Sequence, residues 1–281
     1  MGVGPVRRCC QTGFVWFITV LILIVCAVVI NAIKNAEDEI KKEAEGKKLS
    51  ENEMRTLKIV SGASSIAIYV VNSSLKFVIR RLTVKERHSS ITRLNVSVGL
   101  KLTMARFINS SLLLLIINFN GATKWFDKAG LVYDATVLMM LMAVTDPILY
   151  FLNIPGIIKW LKIYREKSKG DDCTLTQQEG NLLHEGSEID VANNLSQYFT
   201  LIATCFFYAP IIPFALPICF VGSLLNYYVQ KYMLLRKHKT PEMLARTLGI
   251  FFANLMPFII LIQAVASIVF MQNIAIQFGI E

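Results

Sequence analysis

Three apolar stretches of this chain carry side chains that oil does not tolerate, and any chemistry would reside there. The second apolar run holds Ser61, Ser65, Asn72 and Lys76, spaced by four, seven and four residues. On a helix that spacing forms a single stripe. The third run holds Lys101, Arg106, Asn109 and Ser110, and the fourth holds Asp134 near one end and Thr145-Asp146-Pro147 toward the other. A carboxylate at the centre of an apolar run costs about 2.5–3.5 kcal/mol on insertion scales. Asp146 therefore requires water or a basic partner on a neighbouring helix. Water would mean a polar path through which ions pass, lined by Ser65, Asn72, Lys76, Lys101, Arg106, Asn109 and Asp146. A basic partner would mean a structural pair. The bland reading extends to the other candidates, since serine and asparagine also join membrane helices and basic residues near helix ends reach for the headgroups.

Catalysis finds no footing. His88, His184 and His238 fall in three separate loops, and no Gly-rich phosphate loop, nucleophile elbow or metal-ligand cluster occurs. The six cysteines show no paired ligand spacing, and three of them lie inside apolar runs. The expectation is a protein that is not an enzyme, with no catalytic residue, metal or cofactor. The net charge of +9 does not imply nucleic acid as a partner, because the basic residues sit at the ends of apolar runs, where topology signals belong.

The elements that position these groups follow from charge spacing. Of the 281 residues 54% are hydrophobic and 17% charged, against about a quarter charged in soluble domains. No charge falls between Arg8 and Lys34, and forty uncharged residues separate Asp190 from Lys231. A bilayer core takes roughly 20 helical residues, so the forty must double back; Pro210 and Pro213 near their midpoint seat the turn. The expected fold is all-α, a polytopic membrane helix bundle with about seven spans at 13–33, 59–79, 99–119, 130–152, 191–208, 211–230 and 244–271. Pro147 and Pro257 are expected hinges in the fourth and seventh. Residues 34–58, rich in Glu/Lys pairs at helical spacing, read as an outer charged helix, and 159–190 as a cytoplasmic loop. With residues 1–12 as a cytoplasmic N-terminus, the inner segments hold eighteen basic residues and the outer ones nine, which supports that orientation. The localisation expected is a multi-pass protein of the plasma membrane or an internal membrane.

Five stretches, in order, resemble one known family. Val71 to His88, with Asn72-Ser73-Ser74, Arg80-Arg81-Leu82-Thr83 and Glu86, is similar to the Asn-bearing span and Leu-Thr-x-x-Glu loop of the anoctamin superfamily. Lys101 followed by Phe107-Ile108-Asn109 resembles the start of that superfamily's next span, and Gly130-Leu131-Val132-Tyr133-Asp134 its following helix. Phe206-Phe207-Tyr208-Ala209-Pro210 resembles its aromatic-Ala-Pro turn. Asn226-Tyr227-Tyr228 through Arg236, closing near Pro241, is most similar to the hyperosmolality-gated calcium-permeable channel branch, whose core is the calcium-dependent channel seven-helix region.

This resemblance implies an ion channel that is mechanosensitive or osmosensing and passes cations between spans two to five. Relatives on the anoctamin side are calcium-activated chloride channels or phospholipid scramblases. Where those relatives bind calcium, this chain offers Asp190 and Asn193, then Leu224 and Tyr228. A hard divalent ion needs several oxygens with net negative charge, so these positions form a degenerate calcium site and no tight one is expected. Full members of the branch also carry further spans and a cytosolic domain ahead of this region. The resemblance therefore carries three alternative expectations: a fragment, a minimal paralogue or a subunit that conducts nothing. Expected partners are the lipid bilayer, small inorganic ions, and either a second copy or a larger membrane assembly. Alternatives to conduction are a non-conducting accessory or scaffold role and lipid scrambling.

Overall fold

The structure is a computed structural model that describes residues 13–32, 51–86, 90–118, 125–126, 130–170, 175–187, 189–239 and 247–278. Within these, the side chains of 51–65, 67–68, 247 and 276–278 are not described. The expected N-terminal segment 1–12 and residues 34–50 of the expected outer helix lie outside them.

Among the described residues the chain is helical and contains no strand; one isolated bridge joins Ser187 and His238. In chain order the helices are α1 (Gly13–Ala32), α2 (Glu51–Val84), α3 (Ile91–Phe107), a π-helical turn (Ile108–Leu112) leading into α4 (Leu113–Asn118), α5 (Leu131–Leu152), α6 (Ile154–Lys167), α7 (Gln177–His184), α8 (Val191–Tyr208), α9 (Ala215–Arg236) and α10 (Thr247–Phe278).

Four stretches are long and apolar enough to cross a membrane: Gly13–Ala32, Ile91–Asn118, Leu131–Lys167 and Leu248–Ala275. Their outer faces carry Phe14, Ile24, Val28, Ile116, Ile148, Phe258, Ile260 and Leu261, all exposed. So much uncovered hydrocarbon suits lipid and not water. This is an all-α integral membrane protein. The expected second, fifth and sixth spans are also helices, α2, α8 and α9, but each is more polar than those four. The reason is clearest in α8, where twelve of eighteen residues are buried because α3, α5, α9 and α10 surround it. A helix sheathed by protein has no need of an apolar exterior.

Several boundaries differ from expectation. α2 runs from Glu51, so residues 51–58, expected in a separate outer helix, are continuous with the helix expected at 59–79. α3 starts at Ile91, eight residues early, where Ser90 accepts a hydrogen bond from the Arg93 N–H and caps it. Residues 159–190, expected as a loop, hold most of α6 and all of α7. Their charges alternate with Ile157, Ile158, Leu161 and Tyr164 at helical spacing, a signal outweighed by overall polarity. α9 begins four residues late because the amides of Ile211 and Ile212 both turn back to the Tyr208 carbonyl, at 3.1 and 2.9 Å. Pro210 and Pro213 lie in that turn, as expected. Pro147 and Pro257 lie inside α5 and α10, which continue through them.

The core gathers Leu114, Trp125, Leu131, Leu138, Met139, Tyr208 and Phe270, with the rings of Trp125 and Phe270 edge to face at 5.7 Å. α5 and α9 pack closely at Gly222. A methyl group there would lie 2.7 Å from the Ala143 side chain and 3.0 Å from that of Leu201. Gly222→Ala is therefore expected to destabilise the bundle by about 1–3 kcal/mol through overpacking, as a lowered midpoint of thermal unfolding in detergent. An unchanged midpoint would mean that α5 and α9 separate freely.

Candidate functional site

One face of α8 is polar along its whole length: Asn193, Ser196, Gln197, Thr200, Thr204 and Tyr208 follow one another at spacings of three, one, three, four and four residues. The stripe faces α3 and the π-helical turn, and together they form a seam of hydrogen bonds through the bundle. α2 and α5 close its sides.

At the mouth of the seam, Asp190 caps α8 by accepting from the Asn193 N–H at 3.2 Å. Its other oxygen lies 2.5 Å from Arg80 Nη1 and 3.6 Å from Lys76 Nζ. The next layer holds Arg106, which is buried. Its guanidinium donates to Asn193 Oδ1 at 2.9 Å and to Ser196 Oγ at 3.3 Å. Asn193 Nδ2 donates to Gln197 Oε1 at 3.1 Å, and Gln197 Nε2 donates to Asp146 Oδ1 at 2.9 Å. The Tyr69 hydroxyl donates to that same oxygen at 2.6 Å. Arg106 and Asp146 are thus linked through two side-chain amides, from α3 across α8 to α5. The half-buried Asp146 carboxylate, costly in hydrocarbon, is served by two donors and the field of Arg106.

A cavity of about 20 Å³ opens beside this chain, lined by Tyr69, Asn72, Ser73, Arg106, Asp146 and Gln197 among others. That is room for about one water-sized molecule. Among the described residues the buried Asn72 Oδ1 finds no hydrogen-bond donor. Deeper still, Ser111 Oγ donates to Thr204 Oγ1 at 2.9 Å, and the Tyr208 hydroxyl donates to the Ser111 carbonyl at 2.8 Å. Both serines of this layer sit on the π-helical turn, whose extra residue brings Ser110 and Ser111 together onto Thr204. π-Turns of this kind occur often at functional positions.

Of the candidates read from sequence, the structure unites Asn72, Lys76, Arg106 and Asp146 at the seam. Ser65 lies on α2, and its side chain is outside the described residues. Asn109 is buried on the π-helical turn but faces Cys26 of α1, and among the described residues its Nδ2 has no nitrogen or oxygen partner. Lys101 stands apart from the seam. Its buried ammonium pairs with Glu86, which also accepts from Ser97 Oγ at 3.3 Å, and it lies 5.5 Å above the Trp16 ring. Lys101 therefore fastens α3 to the end of α2 and to α1. Asp190 and Asn193, the degenerate calcium positions, are committed to Arg80, Lys76 and Arg106. Among the described residues no group of three or more His, Cys, Asp or Glu side chains gathers as metal ligands.

The α8 stripe itself, with Ser196, Gln197, Thr200 and Thr204, was not among the candidates. Its three-and-four spacing was present in the sequence, but these uncharged residues lie in an otherwise apolar run. Tyr69 was missed because only its partner, Asp146, makes it polar in effect. No protein-family model matches the chain, and no curated protein matches it.

Proposed function

We propose that this protein is a gated ion-permeation protein, seen with its path closed, in which ions pass along the seam between α2, α3, α5 and α8. The observation that carries this reading is the convergence of Arg106, Asp146, Gln197 and the unpartnered Asn72 on a cavity inside the bundle. Most buried polar groups in a membrane protein are paired within it, and the unpaired Asn72 Oδ1 is the one that faces this cavity among the described residues. On this reading α2, α8 and α9 cross the bilayer too, making seven spans, and the polar length of α8 is the wall of the path. The cavity is far narrower than a hydrated ion, so conduction requires α8 to part from α3. Membrane tension, which favours the wider state, is the opening stimulus suggested by the resemblance to osmosensing cation channels. Arg106 disfavours cations near the middle of the seam, and Asp146 offsets it.

The test is patch recording from liposomes that contain only this protein. Stepwise currents under suction are the expected result; silence up to rupture sinks the proposal. One observation favours a second reading, a non-conducting subunit: Arg106, Asn193, Gln197 and Asp146 satisfy one another almost completely. Silence of the pure protein together with its recovery from cells only in a larger assembly would select that reading.

A further inference from the structure

α6 has no place in the seam, yet its surface is the most unusual on the molecule. The 22 residues of α5 make about 33 Å of helix, enough to cross the hydrocarbon. At Asn153 the backbone turns left-handed, with φ 45° and ψ 59°, and the Asn153 side chain caps α6 by accepting from the Gly156 N–H at 3.3 Å. α6 therefore begins where α5 reaches the membrane face. None of its fourteen residues is buried.

Its apolar residues are not scattered. Ile154, Ile157, Ile158, Leu161 and Tyr164 recur at spacings of three, one, three and three, and all lie between 46% and 66% exposed. Trp160 borders them and stacks on Tyr164 at 5.9 Å. The opposite face is the one that meets protein, where Lys159 Nζ donates to the Glu185 carbonyl at the end of α7 at 3.1 Å. Lys162 borders the apolar stripe on one side and Lys167 on the other, and Arg165, four residues after Leu161, closes the stripe at its C-terminal end. All three are exposed, and none has an ion pair among the described residues.

We infer that α6 is an interfacial helix whose apolar face is set into the leaflet beside the end of α5, with Lys162, Arg165 and Lys167 holding anionic phospholipid headgroups. The chemistry matches on each count. An aromatic pair at headgroup depth is where Trp and Tyr are most stable. Apolar side chains reach roughly 5–10 Å into the acyl boundary. Each nearby cation adds attraction to an anionic leaflet. A soluble partner or a second copy could cover the same stripe, but neither accounts for its starting at the membrane face with cations along both borders. The inference does not depend on conduction.

The experiment uses the full chain in nanodiscs, with the emission of Trp160 isolated as the difference between the parent and Trp160→Phe. Lipids brominated near the headgroup are expected to quench that emission about twofold more than lipids brominated near the chain ends. In discs containing phosphatidylserine, Lys162→Gln with Arg165→Gln should abolish the excess, while discs of phosphatidylcholine alone show less change. Emission that neither lipid quenches overturns the inference, because the stripe then faces water or protein. Quenching lost only when two chains occupy one disc overturns it in favour of a second copy. Trp160 is exposed, so its replacement leaves folding intact, and an unchanged unfolding midpoint verifies this.

Discussion

Arg106→Ala is expected to lower the unfolding free energy by about 3–5 kcal/mol, the range for removing one member of a buried charged network. The guanidinium uses two nitrogens to reach Asn193 and Ser196. Its loss orphans the Asn193 carbonyl and leaves Asp146 without the positive charge of Arg106 that faces it inside the bundle. Arg106→Lys restores the charge but has a single nitrogen and cannot span both acceptors, so it should recover only part of the loss. Unfolding in mild detergent, followed by circular dichroism, ranks the three proteins. An alanine variant within about 1 kcal/mol of the parent would show that the seam is not what joins α3 to α8.

Asp146→Asn separates charge from shape. Both hydrogen bonds to Asp146 converge on a single oxygen, and an asparagine carbonyl can accept them in the same place. Stability should therefore change by about 1 kcal/mol, the scale of an ordinary hydrogen bond, whereas Arg106 is left without an opposing carboxylate in its layer of the seam. If ions pass here, the permeability of chloride relative to potassium should rise about tenfold, equivalent to about 1.4 kcal/mol. Flux from liposomes loaded with each salt measures this. A ratio that stays fixed while the protein remains folded would remove Asp146 from the path.

How far these groups could be read from sequence depended on how local their signals were. α5 and α8 were expected at 130–152 and 191–208, and they form at Leu131–Leu152 and Val191–Tyr208. Asn-Ile-Pro-Gly after the first and Asp190 before the second are punctuation that acts within a turn of the chain. The need of Asp146 for partners was legible from its setting, but their identity was not, since Tyr69 and Gln197 lie 77 and 51 residues away. The same distance concealed the pairing of Arg80 with Asp190. Lys101 misled for a different reason. Its partner, Glu86, lies only fifteen residues off, but in a stretch that looked like solvated loop, so the lysine read as lining a path when it is half of a buried pair. α6 went unseen because its sequence mixes the two signals: five charged residues alternate with isoleucine, leucine, tryptophan and tyrosine over fourteen positions.

The central position of α8 also bears on biosynthesis. Ribosomes deliver the chain from its N-terminus, so α8 emerges after α2, α3 and α5 have supplied Tyr69, Arg106 and Asp146, and before α9 and α10 exist to cover its remaining sides. On the proposed seven-span arrangement α8 must enter the membrane, and a segment with so many amides and hydroxyls partitions poorly from the translocation channel into lipid by itself. Its release is therefore tied to groups already waiting in the membrane, and the order in which the helices are made matches the order in which their polar contacts can close.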